Sequence, residues 1–195
     1  AGTGIEIAAT NAPAAVTLAG PEAALAALRA AAEAKRFSFV PLELDYAFHS
    51  AAMDGVRDGL LEELAGLAPH EGALPMISTV TGEVLEGETA GALYWWRNLR
   101  QPVRFEAALR SALARGARLF LEIGPNPVLQ SYVRETCRAA TAEAAVLASL
   151  TRRDADGLDP FPAIADRAFA AGADPRNGPA FAGPASRRLP PTPYD

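Results

Sequence analysis

The order of apolar runs in the first fifty residues limits the folding options of this chain more than any other feature. "GIEIAATN" (4–11) and "AAVTLAG" (14–20) are β-like and separated by only "APA", which predicts a tight hairpin or an offset pair. "PEAALAALRAAAEAKRF" (21–37) predicts a helix with Pro21 at its first turn and Ala and Leu along one face. "FSFVPLELDYAF" (37–48) then alternates apolar residues as a strand or two would, with a break near Pro41. The predicted order is ββαβ. A split βαβ unit of the ferredoxin-like kind needs a further strand and helix in front, and these would lie upstream of Ala1. With no initiator Met ahead of strand-like residues, the expectation is a fragment of something longer.

Further on, Met53, Val56, Leu60, Leu64 and Leu67 recur at helical spacing. "LPMISTVTGEVL" (74–85) predicts two strands around the turn pair Thr81-Gly82. "LYWWRNLRQPVRF" (93–105) is the aromatic centre, and Trp95 and Trp96 are expected to pack in the core and at a pocket rim. Residues 105–139 predict a helix stopped at Gly116, a buried strand "LFLEI", a Gly-Pro loop and a second helix, an α/β arrangement. Beyond Thr151 one helix is expected over 161–171. The remainder is rich in Pro, Gly and Ala, a linker or a tail laid on a surface.

Composition excludes several classes of function. Half of the 195 residues are apolar, enough for a core, and the net charge of −5 argues against a nucleic-acid or anionic-membrane surface. No run is long enough to span a bilayer and no signal peptide is evident, so a cytoplasmic protein is expected. The single cysteine, Cys137, cannot form an internal disulfide and reads as a small buried hydrophobe. One Cys and two scattered His predict no metal site, and "EIGPNP" has the spacing of neither nucleotide fingerprint.

That leaves His49, in "LDYAFHSAAM". Imidazole is the usual proton carrier near neutral pH, yet a lone His beside apolar residues also serves as a hydrogen-bonded structural group. A base needs a nucleophile, and the chain contains no G-x-S-x-G elbow. Ser50 adjoins His49, but neighbouring side chains on such a backbone point apart. His70, in "LAPHEG", is expected to face solvent. From the residues alone, the chain is an α/β piece with one candidate imidazole. It is either part of an enzyme or a carrier- or ligand-binding module whose His is structural.

Four stretches taken together, "IEIAATNAPAAVTLAG", "LDYAFHSAAM", "YWWRNLRQPVRF" and "LEIGPNPVL", resemble the acyltransferase domain of type I polyketide synthases, relatives of malonyl-CoA:acyl-carrier-protein transacylase. They stand in the family's order and spacing over about residues 4 to 135. "LASLTRRD" and "RRLPPTPYD" resemble the linker that leaves that domain and wraps back over it. The resemblance implies an α/β-hydrolase-like core holding a small ferredoxin-like subdomain. Residues 1–50 would be the second half of the small subdomain, 51–150 the C-terminal part of the core, and 151–195 the linker. The family's serine, in a Gly-His-Ser-x-Gly elbow, and the arginine that pairs with the malonyl carboxylate would lie on a preceding N-terminal segment.

By the same resemblance His49 is the partner of that serine in a ping-pong acyl transfer from malonyl-CoA to the phosphopantetheine thiol of an acyl carrier protein. Other synthase domains are implied partners, and no tightly bound cofactor is implied. The acceptor that orients the imidazole falls in "RNLRQPV", with Asn98 at the matching position; the alternative for Asn98 is an ordinary helix or turn cap. The four residues ending at the histidine correlate with the extender unit. Here Tyr46, Ala47, Phe48 and His49 mix the malonyl and methylmalonyl patterns, and bulky Phe48 favours malonyl. Asn126 stands where the family often has His.

Overall fold

The computed structural model describes residues 3–42, 44, 46–150 and 161–173. Strand β1 (Glu6–Ala12) and strand β2 (Ala15–Ala19) form the expected antiparallel hairpin, running from Glu6 opposite Ala19 to Ala12 opposite Ala15 with register shifts between Ile7 and Ala9 and between Thr10 and Ala12. The buried side chains of β1 are small (Ala8, Ala9 and Ala12), which lets two later helices, α4 (Phe105–Ala114) and α5 (Gln130–Ala139), pack close to it. The hairpin turn is tied to α5 by the Ala14 N–H, which donates to a Glu135 carboxylate oxygen at 2.9 Å. Helix α1 (Glu22–Ala34) comes next with Pro21 just before it, and none of its residues is buried.

The strand expected over 37–48 is not formed among the described residues, and this corrects the ββαβ reading. Alternation makes a segment suitable for a sheet, but a strand also needs a neighbour to satisfy its backbone N–H and C=O groups. None pairs with it here. Phe37, Val40, Leu42, Leu44, Tyr46 and Phe48 are all exposed instead. The chain then enters a 3₁₀ turn, Ala51–Val56, and the short helix α2 (Arg57–Glu63). The expected helix from residue 53 is thus only partly α-helical, with Gly55 and Gly59 lowering its propensity.

Strands β3 (Met76–Ile77) and β4 (Val84–Leu85) make the hairpin expected around Thr81-Gly82. Gly82 has φ of +83°, and a Cβ there would meet the Ala107 methyl at 2.7 Å, so the turn requires glycine twice over. Within this turn buried Ser78 exchanges a 2.9 Å hydrogen bond with the Tyr94 hydroxyl of helix α3 (Ala92–Arg100). Trp96 on α3 is buried and Trp95 is half exposed.

Strand β5 (Val103–Arg104) lies parallel to β1, with Ala9 opposite Val103, giving the order β2-β1-β5. One sheet therefore crosses the division expected at residue 50. Helix α4 (Phe105–Ala114), strand β6 (Leu119–Glu122), helix α5 (Gln130–Ala139) and strand β7 (Ala145–Ala148) build the main core. β6 and β7 are parallel, joined through α5. Leu109, Leu113, Val133 and Cys137 pack together against Phe105, Phe120 and Val146; each aliphatic side chain so buried contributes about 1.5–3 kcal/mol. Burial pushes the Cys137 thiol above its ordinary pKa, partly opposed by Arg118, so it is an inert core residue. Helix α6 (Phe161–Ala170) packs on β7 and buries Ile164. The linker expected over 151–195 otherwise lies outside the described residues.

Candidate functional site

The site forms where residues 46–51 meet the C-terminal end of α3. The last carbonyls of any helix lack intrahelical partners, and the chain here offers two to His49. Its backbone N–H donates to the Leu99 carbonyl at 2.9 Å, and its ring Nδ1–H donates to the Gln101 carbonyl at 2.9 Å. Gln101 caps α3 with ψ of 155°, which turns its carbonyl out of the helix, while its own N–H is held by the Arg97 carbonyl. In the neutral tautomer that this bond selects, Nε2 is the acceptor nitrogen, on a partly exposed ring.

His49 itself has φ of +61°, a left-handed conformation that costs a side-chain-bearing residue about 1–2 kcal/mol. The two bonds to the end of α3 hold it there. Asn98 is not the orienting acceptor. It is half-buried within α3, and the acceptor is the main-chain carbonyl at 101, beyond the helix. The hydrogen-bond partner of Nδ1 is thus Gln101, through a backbone atom.

Tyr46 and Phe48 stack with ring centroids 5.5 Å apart at 26°, and Phe48 lies 6.5 Å from the His49 ring. Half-buried Ala47 offers its carbonyl to the Ser50 hydroxyl at 2.6 Å. Ser50 caps the 3₁₀ turn, with its Oγ also accepting from the Ala52 N–H, so this buried hydroxyl is spent on structure. His70 is exposed.

Charged groups hold the other side of the turn. Arg100 Nε donates to Asp54 at 2.6 Å, and a terminal guanidinium nitrogen donates to Glu6 at 3.2 Å. The hydrogen bond to Asp54 raises the Arg100 pKa most, against desolvation, with the charges of Asp54 and Glu6 adding to the increase. The second Glu6 oxygen accepts from the Ala51 N–H at 2.7 Å. This cluster carried no signal that sequence reading could use, because its members are far apart in the chain.

The stretch "LEIGPNPVL" has a structural role. One Glu122 carboxylate oxygen accepts from the Val128 and Leu129 N–H groups at 2.7 and 3.0 Å, satisfying the donors of the two residues just before α5. Asn126 is exposed in the same loop. Among the described residues no group of three or more His, Cys, Asp and Glu side chains could hold a metal, and no helix is long and apolar enough to cross a membrane.

Residues 3–175 match the acyl transferase domain family. The chain is 41% identical over 159 residues to the spectinabilin polyketide synthase system protein NorC of Streptomyces orinoci, a match that covers 82% of this chain and 7% of that protein. It is 40% identical over 185 residues to polyketide synthase GfsE of Streptomyces halstedii, covering 95% of this chain and 5% of that one. Among solved structures it is similar to the acyltransferase domain from module 8 of the salinomycin polyketide synthase. There the TM-score is 0.84 at 36% identity, covering 89% of this chain and 41% of that chain. The chain therefore spans a small part of these curated relatives and less than half of the solved domain. With an α/β fold similar to polyketide synthase acyltransferase domains and this family match over most of its length, the chain belongs to the acyl transferase domain family.

Proposed function

We propose that this chain is the histidine-bearing part of an acyltransferase that moves a malonyl unit from coenzyme A to the phosphopantetheine thiol of an acyl carrier protein. One observation carries the reading: the His49 ring is fixed through Nδ1 on a main-chain carbonyl and presents Nε2 from a partly exposed position. That arrangement suits a general base, since an acceptor-only carbonyl sets the tautomer and stabilises the imidazolium formed in transfer.

Nε2 takes the proton of a serine hydroxyl as its oxygen attacks the thioester carbonyl carbon. The C–S bond breaks, and the imidazolium returns the proton to the departing coenzyme A thiolate. In the second half, Nε2 takes the proton of the carrier's thiol, whose sulfur attacks the acyl-serine ester, and the proton passes to the released serine oxygen. The serine, in a Gly-His-Ser-x-Gly elbow, and the oxyanion donors belong in this proposal to a companion N-terminal segment. That segment would complete a ferredoxin-like subdomain around residues 1–50 and an α/β-hydrolase-like core around 51–150. The exposed apolar residues along 37–48 support it, because a surface of this kind calls for a covering partner. Phe48 beside the imidazole supports malonyl over a bulkier extender unit. The enzyme would work in the cytoplasm alongside other synthase domains.

The test is His49→Ala in the domain joined to its serine-bearing segment. Transfer should fall by roughly 10²–10⁴, the scale of losing a general base, with acyl-serine formation followed by intact mass. A rate within about threefold of the parent overturns the assignment and leaves a carrier- or ligand-binding module with a structural histidine.

A further inference from the structure

Arg100 stands between Leu99 and Gln101, the two residues whose carbonyls hold His49. Its side chain secures the residues just past the histidine. The guanidinium bonds Asp54, within the 3₁₀ turn that Ser50 caps, and also Glu6 on β1. Glu6 in turn accepts the N–H of Ala51, two residues past His49. The backbone at the end of α3 thus grips His49 itself, while Glu6 and the Arg100 side chain grip residues 51 and 54. A left-handed histidine lies above its relaxed conformation, so the residues after it must be restrained if it is to stay there.

We propose that Arg100, bridging Glu6 and Asp54, is a positioning residue for the imidazole: it pins the turn after His49 against α3 and β1 so that the ring keeps its bond to the Gln101 carbonyl. This rests on His49 acting as the base. Magnitudes favour a kinetic role over a merely stabilising one. Arg100, Glu6 and Asp54 remain partly exposed, and such ion pairs add little to stability. A reacting group displaced by about 1 Å, by contrast, can lose on the order of 10²-fold in rate.

The experiment uses the complete acyltransferase domain, with malonyl-CoA as the probe. Arg100→Ala and Asp54→Asn are each measured alone and combined with His49→Ala, reading the serine acylation rate, KM and Tm. Arg100→Ala should slow acylation about 10- to 100-fold with KM within about threefold, and Arg100→Lys should recover part of the loss. Asp54→Asn, which keeps the Arg100–Glu6 pair, should lose less; it carries the test if Arg100→Ala does not fold. In the His49→Ala background neither change should reduce the residual rate by more than about twofold. An unchanged rate in the single variants, or an equal loss with and without His49, overturns the positioning role while leaving the base assignment standing. If His49→Ala alone leaves the rate unchanged, the base assignment falls and this inference falls with it.

Discussion

At the scale of single residues, His49 is legible because an imidazole between an apolar run and a predicted helix is chemically conspicuous. The group that orients it is not. Every residue offers a carbonyl, so a main-chain acceptor leaves no side-chain signature; the resemblance points to Asn98, whereas the bond is made by the backbone of Gln101. Tyr46 and Phe48 are picked out by the resemblance, among the four residues ending at His49, and the structure stacks their two rings with Phe48 next to the imidazole. If that stack bounds the space for the acyl group's α-carbon, its bulk decides which unit fits. A methyl group in a pocket is worth only about 1–3 kcal/mol, or roughly 10- to 200-fold. Phe48→Ser should therefore raise the ratio of kcat/KM for methylmalonyl-CoA over malonyl-CoA by about tenfold, measured by competition between the two thioesters. An unchanged ratio would remove Phe48 from the account of specificity.

At the scale of elements, the two hairpins and helices α1, α4, α5 and α6 can be read from periodicity and turn chemistry, because both are local, whereas α3 is not expected from pattern. Strand pairing is not local. Val103 and Arg104 form β5 because β1 offers its edge, and "AVLA" forms β7 because α5 returns it beside β6. Neither strand is expected from pattern. The reverse holds over 37–48, where the pattern is present and, among the described residues, a partner strand is not. The turn at Gly82 combines both kinds of constraint, a local positive φ and the distant Ala107 methyl. Gly82→Ala should cost at least about 1–2 kcal/mol from the backbone alone, with more from moving α4. In the complete domain this should lower Tm by at least about 2 °C, measured by calorimetry, with kcat per folded molecule retained. An unaltered Tm would mean that the hairpin can shift away from α4 at no cost.

At the scale of the whole molecule, the decisive feature is apolar surface that nothing covers among the described residues. Phe37, Val40, Leu42 and Leu44 are exposed along one segment, and Ile7 and Val16 are exposed on the hairpin. Strand β6 pairs only with β7 among the described residues, with Leu121 and Ile123 exposed at and just past its end. Apolar patches and open strand edges of this kind drive association in water. The chain alone should therefore aggregate, or persist as a loosely packed state that binds ANS and lacks a near-ultraviolet signal from Tyr94 and Trp96. Supplying the serine-bearing segment, fused or in trans, should suppress ANS binding, sharpen that signal and give one cooperative thermal transition. A monomeric, ANS-negative chain that unfolds cooperatively by itself would show that these residues find their cover within the 195, and the need for a companion segment would go with it.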